Sequence, residues 1–237
     1  MLRIIDSHAH VQFPVYAEDR DIVIGRALEN GIGMVNIGTQ YATSVDAVRL
    51  AEKYTEGVWA TAGFHPNHLD TNAHFDMQEL RTRNQEVFKA EKFFQLARHP
   101  KVVAVGECGL DYHRIKNPEA GIVKRQKEVF MKQIELAMGV GKPLIVHCRN
   151  AFHDLIPILA SYFSIHASHP NGVVHFFSGS WQDAKRLLDL GFYLGFGGVI
   201  TFAREYDEVL MKAPLDRIVL ETDAPYVAPL PYRGKRN

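Results

Sequence analysis

Histidines and carboxylates in this sequence gather at the ends of short apolar runs, a placement that suits them to hold metal ions. The first run ends in Asp6-Ser7-His8-Ala9-His10, the third in Gly63-Phe64-His65-Pro66, and the fourth in Gly106-Glu107-Cys108-Gly109-Leu110-Asp111-Tyr112. The fifth ends in His147-Cys148-Arg149, the sixth carries His175, and the eighth ends in Glu221-Thr222-Asp223. In an extended strand, residues two apart share a face. His8 and His10 therefore point together with Asp6 one layer below, and Glu221 points with Asp223. Four imidazoles (His8, His10, His147, His175) and two carboxylates (Glu107, Asp223) brought to one mouth would be costly to desolvate unpaired. A pair of divalent cations removes that cost, because imidazole and carboxylate are preferred ligands of Zn²⁺, Mn²⁺ and similar ions. A carboxylate between two such ions can bridge them, and ions roughly 3.5–4 Å apart can activate a water and polarise the bond it attacks.

A His-x-His pair alone occurs often by chance; the joint occurrence at successive run ends carries the reading. His65 faces the same mouth and is read as a substrate contact rather than a ligand. His68, His74, His99, His113, His153, His166 and His169 lack that placement and are read as solvated or structural. Cys108 and Cys148 each follow a proposed ligand, so alternation turns both thiols toward the helix layer as small core residues.

The elements that position these groups are legible as eight β-branched-rich runs at 3–7, 33–38, 58–62, 102–107, 143–147, 172–176, 192–197 and 217–221. They alternate with segments of helical spacing at 19–30, 44–54, 77–98, 119–140, 152–163, 181–190 and 202–212. Apolar strands alternating with helices predict a parallel sheet covered by helices. Eight of them predict a (β/α)8 TIM barrel of the α/β class, with its active site at the C-terminal ends of the strands. Ser44 and Ser180 are placed to cap helices, and Gly31, Gly141 and Gly191 to end them. After the eighth run the chain enters a Pro-containing tail, so the last helix of the barrel is expected to be missing. No linker, low-complexity tract or charge block divides the 237 residues, which predicts one domain over 1–237.

Lys plus Arg and Asp plus Glu number 27 each, which argues against nucleic-acid binding driven by net charge alone. No apolar run is long enough to span a membrane, although 46% of residues are apolar. The start resembles neither a signal nor a transit peptide, and two cysteines build no disulfide framework, so a reducing cytoplasm is expected. Oligomeric state is not set by the sequence, and a monomer is compatible with it.

The run ends quoted above, together with Val105, His175-Phe176-Phe177-Ser178-Gly179, Gly195-Phe196-Gly197-Gly198 and Leu220-Glu221-Thr222-Asp223-Ala224-Pro225-Tyr226, resemble the motifs of the TatD-type metal-dependent deoxyribonucleases, a branch of the amidohydrolase-like barrels. They occur in family order from the first residues to the tail. The resemblance implies that His8, His10, Glu107 and Asp223 hold one metal ion and that Glu107, His147 and His175 hold a second, with Glu107 bridging. Many barrel amidohydrolases bridge with a carboxylated lysine, but Lys101 and Lys142 precede their strands and belong to the opposite face. Two departures stand out. Asn150 follows Arg149 where the family usually has an acid, and the family continues past Arg233-Gly234-Lys235-Arg236-Asn237 into C-terminal helices.

On this reading the expected activity is hydrolysis of DNA phosphodiester bonds, from an end, with two divalent ions (Mg²⁺, Mn²⁺ or Zn²⁺) and DNA as a transient partner. Asp223 and Glu107 are the expected catalytic residues, Asp223 as general base. His65 and Arg149 are placed to hold a phosphate, and Asp111 and Tyr112, in the fourth loop, to line the pocket. The tail cations Arg233, Lys235 and Arg236 either steer a phosphate backbone or belong to a solvated tail. A hydrolase of a small amide, ester or lactone is the alternative, since the metals activate water without choosing the electrophile. A barrel kept only as a binding module is opposed by the presence of all six ligands.

Overall fold

The computed structural model describes residues 1–69, 76–79, 86–113, 115, 121–163 and 171–237. Eight strands run through them: β1 Ile4–Ala9, β2 Ile32–Asn36, β3 Val58–Ala62, β4 Val102–Asp111, β5 Leu144–Arg149, β6 Gly172–Val174, β7 Phe192–Phe196 and β8 Ile218–Leu220. Each pairs in parallel with the next in chain order, in one eight-stranded sheet. The seam between β8 and β1 is drawn together by a parallel bridge between Ala9 and Ala224. There His10 N donates to Ala224 O at 2.7 Å and Asp223 N to His8 O at 2.9 Å. The expected (β/α)8 barrel is present.

The helices are α1 Arg20–Glu29, α2 Tyr41–Glu52, α3 Ala90–Ala97, α4 Gly121–Val140, α5 Phe152–Tyr162, α6 Trp181–Asp189 and α7 Asp207–Lys212. Among the described residues no helix follows β8. The seam strands accordingly show apolar side chains on their outer face, Ile5 at 44% and Leu220 at 51% exposure. None of the described helices is long and apolar enough to cross a membrane.

Burial divides into two layers. The larger packs helices on the outside of the strands and holds Phe64, Phe93, Phe130, Leu155 and Leu187, together with both cysteines. Each such side chain contributes roughly 1.5–3 kcal/mol on burial. The smaller is a plug of Ile37, Ala104 and Ile145 with Val35 and Val173 against it. Ile145 lies two residues before His147 and Val173 two before His175, so by alternation this plug is the floor beneath the mouth.

Ser180 caps α6, its hydroxyl accepting from Asp183 N, and Gly31, Gly141 and Gly191 take the left-handed conformation that ends helices. Three expectations need correction. Among the described residues of the helix read over 77–98 only α3 is helical, and residues 77–79 form a turn in which Asp76 accepts from Gln78 N. Glu86 instead reaches the start of α2, accepting from Tyr41 N and Ala42 N. Ser44 caps nothing: Gln40 is the α2 cap, and the Ser44 hydroxyl donates to Gln40 O inside the helix. Residues 198–201 form a 3-10 turn, and α7 begins only at Asp207. Residues 80–85, within the expected 77–98 helix, lie outside the described residues.

Candidate metal centre

Alternation and register carry the six expected ligands to one place. Strand β1 delivers His8 and leads straight into His10. Strand β4 shifts register between Val105 and Cys108 and delivers Glu107 next to the floor, while β5 delivers His147. His175 follows β6, and Asp223, in left-handed backbone (φ 56°), follows β8.

Glu107 is 4% exposed and stands at the centre. Its Oε1 lies 3.1 Å from His147 Nδ1 and 3.4 Å from His175 Nε2, while its Oε2 lies 3.5 Å from His8 Nε2. Asp223 Oδ1 lies 3.6 Å from His8 Nε2 and 3.5 Å from His10 Nε2. Three sets, His8–Glu107–His175, His8–His10–Asp223 and His65–Glu107–His147, each bring three donor atoms within 4.8 Å of one another.

Which ring nitrogen carries a proton decides which histidines suit a cation. His10 Nδ1 lies 3.0 Å from the Ile37 carbonyl, which can only accept, so neutral His10 turns a lone pair toward the centre at Nε2. That nitrogen is 3.2 Å from His8 Nε2, in a fully buried pair whose converging nitrogens suit a shared cation. His147 places Nε2 3.1 Å from Asp111 Oδ2, which likewise leaves Nδ1 free to face Glu107. His65 is the reverse. Asn67 N–H donates to its Nδ1 at 3.1 Å, so its Nε2 carries the proton and points at Glu107 Oε1, 3.4 Å away. His65 is thus arranged as a donor, although its distances alone would admit it to a ligand set.

Electrostatics follow this arrangement. Burial pushes Glu107 up, but His65, His175 and His8 outweigh it and hold the carboxyl well below its usual range. Burial, then the His175 charge, lowers His8 to about 4, so it is neutral and ligand-ready at neutral pH. Burial also opposes protonation of His147, yet Asp111 and Glu107 raise it; for His175 the carboxylates of Glu221 and Glu107 overcome burial and raise it well above 6.5. Asp223 is lowered, its burial outweighed by His10, His175 and His8.

The remaining expected site residues divide. Arg149, at the end of β5, is exposed and forms no ion pair among the described residues, leaving its fork free above the mouth. Asp111 is not in a loop. Strand β4 continues to pair with β5 through Asp111 and Arg149, so alternation puts Asp111 on the Glu107 face, 4% exposed and bonded to His147. The Tyr112 hydroxyl turns away from the centre and donates to Asp154 at 3.0 Å, and Asp154 is also paired with Lys127 at 2.7 Å. Asn150, in the place of the family's usual acid, adopts φ 56°, which Asn tolerates better than most residues.

Arg236 neither steers nor floats: it pairs with Asp19 and stacks on Tyr16 at 4.6 Å, while Arg233 lies over Phe202 at 4.2 Å. The two lysines belong to the opposite face, as expected: Lys101 Nζ bonds Tyr54 O and Lys142 Nζ bonds Ala97 O, both near helix C-termini. Both cysteines are buried and free, outside every ligand set. His68 pairs with Glu79, His99 with Glu52, and His153 is exposed, in line with structural or solvated roles. His74, His166 and His169 lie outside the described residues. One buried acid at the centre had been given no role by the sequence. Glu221 is 6% exposed beside His175, and its place two residues before Asp223 was the available signal.

A barrel whose strand ends carry this His and carboxylate cluster defines a metal-dependent hydrolase. The family model for TatD related DNase matches residues 5–237, and the chain belongs to that family. It is 36% identical to the uncharacterized metal-dependent hydrolase YabD of Bacillus subtilis, covering 99% of this chain and 85% of that one. It is 35% identical to the 3'-5' ssDNA/RNA exonuclease TatD of Klebsiella pneumoniae, covering 90% and 75%. Among solved structures it is similar to YJJV, a TatD homolog from Escherichia coli K12, with a TM-score of 0.80 and 33% identity over 99% of this chain and 84% of that one.

Proposed function

We propose that this protein is a deoxyribonuclease that removes nucleotides from an end of a DNA strand, using two divalent ions that share Glu107. The observation that carries the proposal is the division of the Glu107 carboxylate, with Oε1 toward His147 and His175 and Oε2 toward His8. In this reading His8, His10 and Asp223 would hold one ion, and His147 and His175 would hold the other. The donor set of imidazoles and carboxylates suits Zn²⁺ or Mn²⁺ and admits Mg²⁺. Bound there, such ions supply water activation and neutralise charge building on the phosphate.

The chain's own groups do the rest. Asp223 faces the histidines through Oδ1, and Oδ2, which has no hydrogen bond among the described residues, accepts the proton of the attacking water. Its lowered pKa keeps it ionised for that task. With substrate bound, His65 would turn its Nε2–H from Glu107 Oε1 to hydrogen-bond a phosphate oxygen, while its Asn67 contact keeps the proton on Nε2. Arg149 grips the phosphate from the rim in a two-pronged contact. The similarity to a named 3'-5' ssDNA/RNA exonuclease supports single strands as substrate and attack from the 3' end.

An end-labelled single-stranded oligonucleotide incubated with protein reconstituted in Mg²⁺, Mn²⁺ or Zn²⁺ tests this. The expected result is a ladder shortening from one end, absent with Glu107→Ala. Bound metal without cleavage would contradict the nuclease reading and favour a hydrolase of small amides, esters or lactones.

A further inference from the structure

Glu221 is a buried acid that the proposed reaction does not use. Its side chain is fully enclosed, and its Oε1 accepts a 2.6 Å hydrogen bond from Phe176 N. The same oxygen lies 3.3 Å from His175 Nδ1, while Oε2 has no hydrogen-bond partner. His175 Nδ1 is in the same position: buried, without an aligned hydrogen bond, and facing only this carboxylate. An enclosed carboxylate with a free oxygen is costly unless a positive charge answers it.

The surroundings are shaped to keep that acid in place. A Cβ at Gly195 would clash with the Glu221 carboxylate, so β7 gives up a side chain to make room. Phe176 takes left-handed backbone at φ 46°, uncommon for a bulky residue, in a segment where its N–H reaches Glu221. These features converge on the residue after β6 that carries the imidazole. They have no counterpart at His8, whose Nδ1 has no partner, or at His10, which is backed by a neutral carbonyl.

We propose that Glu221 is a positioning residue. It fixes the ring of His175 so that Nε2 points at Glu107, and its charge supports cation binding at the His147–His175 flank alone. The inference rests on the two-ion reading above. Partners that orient a metal-bound histidine from behind typically change metal affinity 10- to 100-fold when removed.

The test is a metal titration of Glu221→Gln, which keeps the shape and the acceptor for Phe176 N–H but removes the charge. Mn²⁺ or Co²⁺ is titrated by calorimetry, with circular dichroism as the check on folding. The expected result is one ion bound as in the wild type and the other weakened roughly 10- to 100-fold. In a His175→Ala background, the same substitution should change metal affinity less than about twofold, because a residue acting through His175 has nothing left to act on.

Two unaltered affinities in Glu221→Gln, equal losses of both ions, or an undiminished effect in the His175→Ala background would each overturn the inference. A wild-type protein binding fewer than two ions would instead overturn the two-ion reading on which it stands. If Glu221→Gln fails to fold, Gly195→Ala, which intrudes on the same carboxylate, gives the second variant and the same expectation.

Discussion

The two flanks of the centre are built from the same residue type and backed differently. His147 and His175 have carboxylates behind them, Asp111 at 3.1 Å and Glu221 at 3.3 Å, whereas His10 leans on the Ile37 carbonyl and His8 Nδ1 has no partner. The histidines also differ in protonation, with His8 standing apart. Burial takes His8 down to about 4, while the acids around His147 and His175 raise both in spite of burial. Burial opposes protonation of His10 too, yet Asp223 and Glu107 raise it, so of the four histidines only His8 is lowered, and a cation must displace protons at the other three. Glu107 reaches both flanks, and the rings of His8 and His175 stack at 3.5 Å between centroids.

The largest effect that this comparison predicts comes from the shared group. Glu107→Ala should remove both flanks at once and lower turnover by at least ~10³-fold, more than His175→Ala does. Steady-state cleavage rates measured side by side check the ranking, and near-normal turnover in Glu107→Ala would sink the shared-carboxylate account. Asp111→Asn should act on one flank only, weakening one ion about 10- to 100-fold while the other is retained. Equal weakening of both would show that the flanks are not separate.

Acidity sharpens the same contrast. In the metal-free protein, His147 and His175 have folded values above 6.5. Their pairing therefore stabilises fully below that value and is lost as pH rises through the raised ones. Glu107 and Asp111 are depressed below 4.5 and 3.8, so their contribution is present above those values and is lost as pH falls through the folded ones. In thermal unfolding of metal-free protein these four groups should contribute most between the ordinary values of 4.5 and 6.5, opposed by His8, whose lowered value costs stability as pH falls from 6.5 toward about 4. Metal affinity at the His147–His175 flank should fall on acidification, by about tenfold per pH unit for each proton displaced. A pH-independent affinity between 6 and 8 would contradict this assignment. The smallest effect belongs to the tail. Arg236→Ala should lower the unfolding temperature only slightly, because its pair with Asp19 is solvent-screened. Cleavage should be unchanged, since that guanidinium is committed to Asp19 and Tyr16.

Much of this was legible beforehand because strand periodicity is strict. Two-residue alternation placed His8 with His10 and turned Cys108 and Cys148 away from the centre, and the run ends supplied the other ligands. It lost sight of Asp111 for a specific reason. The fourth strand was expected to stop at Glu107, but β4 pairs on through Asp111, and the same alternation carries Asp111 to the Glu107 face. Among the described residues the helix over 77–98 failed because polar side chains there serve other elements, Glu79 binding Thr39 and His68 and Glu86 accepting from the first amides of α2. Local spacing does not encode such long-range use of a carboxylate. The Arg236 pair with Asp19, which spans nearly the whole chain, escaped the sequence for the same reason.

The measurement that tests the central claim most directly is anomalous diffraction from crystals of this protein grown with Mn²⁺ or Zn²⁺. Two peaks roughly 3.5–4 Å apart are expected, one beside His8, His10 and Asp223 and the other beside His147 and His175, with Glu107 between them. A single peak, or a second peak with no contact to Glu107, would contradict the shared-carboxylate centre.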